Sequence, residues 1–352
     1  MKAPFVWFGG KRRVASWVWD ALGDVDNYVE PFAGSLAVLL ERPEWHTGTT
    51  ETVNDADQYL ANFWRALQAD PEAVAHYADW PVNESDLFAR HLWLVNEGRE
   101  RMVAGMEADP DWYDARIAGW WVWGINSWIG SGWCSGKGPW KRPHLGTAGQ
   151  GVNRQLPHLG DSGRGVNRKL PHLGDPGRGV NQPDGPKAFT RGGQGAPVNN
   201  WHNPSPDKPS LYGYMEALAA RLRRVRVCCG DWSRVITDGA LSYGNTVGVF
   251  FDPPYGDVRM ADLYATDDLT IATDVARWCR ENENNPRYRI VLCGYEGEHD
   301  MPGWEVIAYS ASASYQTAAG GGSNKVNRHK ERLWLSPSCR GARQGTMWEV
   351  GS

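Results

Sequence analysis

Cysteine is sparse and scattered in this chain of 352 residues: Cys134, Cys228, Cys229, Cys279, Cys293 and Cys339, with no C-x-x-C pair. That argues against a Cys-rich zinc module and a secreted disulfide framework, and it suits a reducing cytoplasm. No metal site is expected. Long apolar runs are also missing. Nothing approaches the roughly 18 residues of a membrane span, so no membrane partner is expected. Met1 to Arg13 reaches the pair Arg12-Arg13 without an apolar h-region, which speaks against a secretory signal. What the chain does have is core: 41% hydrophobic and 22% charged residues exclude disorder of the whole. The length reads as two domains or one large one.

The net charge of −4 argues against a nucleic-acid partner only until it is divided. Between Ser131 and Gly230 there are 15 Lys+Arg against 5 Asp+Glu, and the remainder holds 22 against 36. A basic insert in an acidic body is the footprint of a face that meets phosphate. A solvated lysine- and arginine-bearing loop is the alternative.

Strands alternate with helices on both sides of that insert. Asn27 to Phe32 reads as a strand, followed by a helix from a Ser35 cap to Glu41. A second strand, near Thr49 to Val53, ends in Asn54-Asp55-Ala56-Asp57. Leu60, Phe63, Trp64 and Leu67 then mark a helix by their i, i+3, i+4, i+7 spacing. From Trp80 the pattern turns helical and acidic and ends in Trp120, Trp121, Trp123, Trp128, Trp133 and Trp140. These read as core, with one or two near Trp133 or Trp140 open to a ligand. Later elements are a basic helix over Leu211 to Arg226, a strand Val247 to Phe251 and a helix Leu269 to Glu281. Strands are expected over Arg289 to Cys293, Trp304 to Tyr309 and Glu331 to Leu335. The predicted fold is therefore α/β: an open, mostly parallel sheet with helices on both faces, interrupted by a largely helical, loop-rich insert. The boundaries read as 1–79 (core), 80–209 (insert) and 210–352 (core).

Pro-His-Leu-Gly recurs at Pro143, Pro157 and Pro171, each time followed by Gly-Val-Asn, a 14-residue period over 143–182. The period is shorter than that of a solenoid, and each unit has too few apolar side chains for a core. Arg164 and Arg178 lie in Gly-Arg-Gly settings, as in segments that track nucleic-acid backbones. A flexible insertion and a DNA-contacting arm both remain open.

Three short motifs carry chemistry. Asp252-Pro253-Pro254-Tyr255 follows a hydrophobic strand, where ligands sit in open α/β sheets. Neither proline has an N–H, so their carbonyls and the Asp252 carboxylate make an acceptor-only pocket suited to an amino group. Tyr255 offers an aromatic face to a base drawn out of its stack. Glu30-Pro31-Phe32-Ala33-Gly34 is a strand and glycine turn where backbone can approach a ligand. Asp55, 21 residues after Gly34, lies where an acid bonds ribose hydroxyls. Gly9-Gly10-Lys11 fails as a P-loop, because Phe5 and Arg12 stand at required Gly and Ser/Thr positions; beside Trp7 and Phe8 it could still close over a ligand.

Together these motifs resemble the Dam-like class of DNA adenine-specific (N6) methyltransferases, over residues up to about Leu67 and from about Leu211. The resemblance implies a Rossmann-like methyltransferase sheet with the target-recognition insert between cofactor and catalytic motifs. It implies S-adenosyl-L-methionine as cofactor, held by Trp7, Lys11, Glu30, Pro31, Phe32, Gly34, Asp55 and Asp252. Asp252, Pro253, Pro254 and Tyr255 would be catalytic, on an adenine flipped out of double-stranded DNA. Leu263-Tyr264 and Cys293-Gly294-Tyr295 look like later motifs. Gly34-Ser35-Leu36 departs from relatives with a second glycine. No obligate protein partner is expected; a cognate restriction enzyme stays open, and a phage or mobile element would suit the compact chain and its repeat. The rivals are cytosine-N4 or RNA adenine methylation, and a non-catalytic DNA-binding protein on this fold. Binding should weaken steeply with salt. Deleting residues 157–170, which carry Arg164, Arg168 and Lys169, should lower the slope of log K against log[salt] by up to about 2.7 if the repeat meets phosphate. Unchanged affinity and slope in a filter-binding titration would make it a spacer.

Overall fold

The computed structural model describes residues 1–5, 7, 10–48, 50–109, 111–128, 133–134, 210–254, 270–309 and 331–340. The repeats at 143–182, Trp140, Tyr255 and Leu263-Tyr264 lie outside the described residues. The strands are β1 (Asn27–Glu30), β2 (Thr50–Asp55), β3 (Val225–Cys229), β4 (Val247–Phe251), β5 (Tyr288–Tyr295), β6 (Glu305–Tyr309) and β7 (Glu331–Leu335). They form one sheet in the order β3-β2-β1-β4-β5-β7-β6. The pairs from β3 through β5 are parallel, while β7 runs antiparallel to both β5 and β6. β1 and β4 are buried along their whole length; the unbroken apolar run of β4 suits a strand covered on both faces, while β1 buries Asn27 and Glu30 at its two ends.

The helices are α1 (Ala15–Leu22), α2 (Gln58–Ala69), α3 (Pro71–Ala78), α4 (Glu84–Trp93), α5 (Arg99–Ala108), α6 (Ala115–Ser127), α7 (Leu211–Leu222), α8 (Asp238–Leu241) and α9 (Ile271–Asn282). α1, α2, α3, α6 and α7 bury their apolar faces in one core and α8 and α9 in the other, so the expected Rossmann-like α/β sheet with helices on both faces is present. Among the described residues, no helix is long and apolar enough to cross a membrane. α6, from the segment read as insert, packs its Trp121 against Phe5 and Phe63 of the first segment. Trp121, Trp123 and Trp128 are buried, which is the core role expected of that tryptophan set.

Two expectations are corrected. No helix starts at Ser35; residues 34–38 form turns, and Leu39–Glu41 is a single 3-10 turn. Gly34 (φ 48°) and Leu36 (φ 58°) both adopt left-handed backbone, which a right-handed helix cannot include. The basic helix ends at Leu222 rather than Arg226, because Val225-Arg226-Val227 enters β3 beside β2. Gln68 fixes the turn between them, its Nε2 donating to the carbonyls of Leu222 (2.6 Å) and Val225 (2.8 Å). One helix, α1, had no expectation attached, although Ala15, Val18, Trp19 and Leu22 carry the helical spacing.

Leu36 keeps a glycine-like backbone while its side chain is fully buried. Leu36→Gly should relieve about 1–2 kcal/mol of backbone strain and lose about 2–5 kcal/mol of core packing. Urea unfolding should therefore show a net loss of stability.

Candidate functional site

Strand order alone prepares a crevice. From β1 the chain goes out to β2 and β3 on one side and returns to β4 on the other, so the carboxyl ends of β1 and β4 mark a topological switch point. Glu30 closes β1, Asp55 closes β2 and Asp252 follows β4. Three sequence-distant acids thus meet at one edge of the sheet.

Lys11 reaches the same edge from the turn before α1. Its Nζ lies 2.9 Å from Asp252 Oδ1, with Lys11 5% and Asp252 20% exposed. Burial pulls the lysine pKa down, but attraction to Asp252, with smaller pulls from Cys293 and Glu331, outweighs it and leaves the pKa raised. Lys11 is therefore a fixed ammonium. The segment preceding it is pinned by the helical layer: Phe5 sits edge-on to Trp121 at 5.0 Å, Asn126 Nδ2 donates to the Pro4 carbonyl (3.1 Å), and the Tyr214 hydroxyl donates to the Lys2 carbonyl.

Glu30 has a different environment. It is buried and accepts a hydrogen bond from the Tyr28 hydroxyl at 2.9 Å. Burial, aided by the negative charge of Asp252 and opposed by that hydrogen bond, pushes its pKa up to about 8. At neutral pH it is mostly a neutral acid beside an ion pair.

The loop after β1 is held by β2. Asp55 Oδ2 accepts from the Gly34 N–H and Oδ1 from the Asp57 N–H, both at 2.9 Å. Burial is the largest influence on Asp55 and, with the Asp57 charge, raises its pKa to about 6 against those hydrogen bonds. Asn54 Nδ2 ties the Pro31 carbonyl (3.1 Å) to the Gly230 carbonyl (2.9 Å), joining the ends of β1, β2 and β3. Trp7 lies across this loop: a Cβ on Gly34 would come within 2.7 Å of its indole Cδ1. Glycine is required there twice over, by contact and by its φ of 48°.

Phe32 points to the other side, stacked on Trp232 at 6.1 Å after β3. Pro253 is buried and Pro254 half-buried; Tyr255 lies outside the described residues. The structure thus brings together Trp7, Lys11, Glu30, Gly34, Asp55 and Asp252. Asn54 and Trp232 were missed: the first stands next to Asp55 at the end of a strand already rich in polar residues, so nothing set it apart, and the second sits just past the end of a strand whose start was read as helix.

Compared with known proteins, residues 7–93 match the family described as D12 class N6 adenine-specific DNA methyltransferase. The match spans Trp7, Lys11, Glu30 to Gly34 and Asp55, supports a Dam-like adenine methyltransferase, and bears out the resemblance drawn from those motifs. No curated protein matches the chain.

The raised pKa of Glu30 has a stability consequence. Between its ordinary value near 4.5 and about 8 the folded protein binds a proton that the unfolded chain has lost, so its contribution to stability falls as pH rises. In Glu30→Gln this loss should disappear: plots of urea midpoint against pH should diverge between pH 5 and 8, with the variant gaining on the wild type at the alkaline end.

Proposed function

We propose, from the premise of that match to the D12 class of adenine methyltransferases, that this chain is a site-specific methyltransferase. It would move a methyl group from S-adenosyl-L-methionine to the exocyclic amino group of an adenine flipped out of duplex DNA. The observation that carries the reading is the Lys11–Asp252 pair at the end of β4, in the switch-point crevice. The residues present fit the cofactor. Half-buried Trp7, Phe32 and Trp232 offer apolar faces, Gly34 lets the backbone come close, and Asp55 and Asp252 offer acceptors to hydroxyl and ammonium groups. When bound, the cofactor supplies an electrophilic methyl on a sulfonium; the chain's own residues bind, orient and accept.

The adenine amino group is a weak nucleophile because its lone pair is delocalised into the ring. Asp252, held in place by its ion pair with Lys11, would accept from the amino group, with the Pro253 carbonyl as a second acceptor. Two such hydrogen bonds favour a pyramidal nitrogen with its lone pair aimed at the methyl. Tyr255 would stack on the extruded base, offsetting the few kcal/mol lost on unstacking. The contribution is orientation and preorganised electrostatics, not covalent catalysis.

Purified protein given duplex DNA and methyl-labelled cofactor should put label into N6-methyladenine after digestion to nucleosides; label in methylcytidine, or nowhere, would sink the adenine assignment. Asp252→Ala should cut transfer by at least about 10²-fold, the scale of losing one preorganised polar group, while duplex affinity holds. Retained turnover would refute the role given to Asp252.

A further inference from the structure

Asn54 takes no part in the chemistry described above, yet its side chain spans the part of the crevice away from β4. It is the last residue but one of β2 and 2% exposed. Its Nδ2 donates to the Pro31 carbonyl after β1 (3.1 Å) and to the Gly230 carbonyl after β3 (2.9 Å). Its Oδ1 is buried and accepts no hydrogen bond among the described residues, so the amide works here as a donor only.

The residues that follow those two carbonyls carry apolar faces of the crevice. Phe32 comes directly after Pro31, and Trp232 lies two residues beyond Gly230; their rings stack at 6.1 Å with 28° between the planes. Backbone hydrogen bonds hold each loop to β2 separately. The Ala33 N–H donates to the Asn54 carbonyl (2.9 Å) and the Gly230 N–H to the Asp55 carbonyl (3.1 Å). The Asn54 amide instead joins the two loops to each other. Its removal leaves the sheet and both backbone bonds in place but frees the spacing of the aromatic pair.

We propose that Asn54 is a positioning residue for S-adenosyl-L-methionine, setting the spacing of Phe32 and Trp232 through its bridge between two carbonyls. The proposal rests on the methyltransferase reading of the crevice. Equilibrium dialysis with labelled S-adenosyl-L-methionine should show about tenfold weaker binding in Asn54→Ala, the scale of one or two buried hydrogen bonds. Asn54→Asp, which sets a carboxylate against both carbonyls, should bind at least as weakly. In methyl transfer the loss should lie in KM for the cofactor, with kcat and KM for DNA within about twofold of wild type. In a Trp232→Ala background the Asn54→Ala effect should shrink, because residues that act through one another are non-additive. Asn27→Ala is the control for a merely structural role. Asn27 is fully buried and its Nδ2 donates to the Ala240 carbonyl (3.1 Å), at the opposite end of β1. Its loss should lower the urea midpoint as Asn54→Ala does, yet leave cofactor affinity at the wild-type value. Wild-type affinity in Asn54→Ala, the same weakening in Asn27→Ala, or an undiminished effect in Trp232→Ala would overturn the proposal. A wild type that binds no S-adenosyl-L-methionine would instead remove the reading of function, and the positioning role with it.

Discussion

The ion pair between Lys11 and Asp252 is the constraint on which the rest of the site depends. It joins residues 241 positions apart, and both termini of that span are placed by packing before the charges meet. Phe5, Trp7 and Trp121 dock the segment before Lys11; β1 and β5 flank β4 and hold the strand that delivers Asp252. Burying two charges costs several kcal/mol per ion, and their attraction repays this only when the geometry is good. Such a pair adds little to stability but tolerates few arrangements, and removing one partner leaves the other exposed to the full desolvation penalty. The pair therefore enforces the closeness of the amino-terminal segment to the end of β4.

The fold also redistributes the charge that first suggested a nucleic-acid partner. Arg221 is taken up by Glu51, at 2.8 Å, in a pair that fastens α7 to β2. Arg223, Arg224 and Arg226 stand at the amino end of β3, the opposite edge of the sheet from Asp55 and Asp252. Four of the fifteen basic residues thus lie on α7, on β3 or between them, away from the crevice. The 80–127 segment is itself acidic, with 8 Asp+Glu against 4 Arg, and Arg90 and Arg116 are held against Trp123 and Trp93 at 4.3 and 4.2 Å. The excess of positive charge that remains lies in residues 135–209, with 11 Lys+Arg against 4 Asp+Glu.

The strands were legible wherever a run was either fully apolar or ended in a motif: β1 before Glu30, β2 before Asp55 and β4 before Asp252. The strand that was not legible is β3, which continues directly from a basic helix. β3 carries Arg226 at the sheet edge, where one exposed arginine costs nothing, and so read as the end of a basic helix. The loop after β1 read as a helix because Ser35 suits a cap and Leu36, Val38, Leu39 and Leu40 are apolar. What overrides that local preference is the long-range bond from Gly34 to Asp55. The site residues were recognisable as types, but their partners were not: nothing in sequence order pairs Lys11 with Asp252 or gives Glu30 to Tyr28.

Those partners decide which acid can do what. Glu30 and Asp252 are similar carboxyls close enough for the charge of one to raise the pKa of the other. Glu30 is fully buried beside the Asp252 charge, and together these outweigh the hydrogen bond from Tyr28 and hold it mostly uncharged at neutral pH. Asp252 receives an ammonium and a fifth of its surface, so its charge is both stabilised and reachable. The different charge states of the two acids thus follow from burial at the end of β1 and from an ammonium brought to the end of β4.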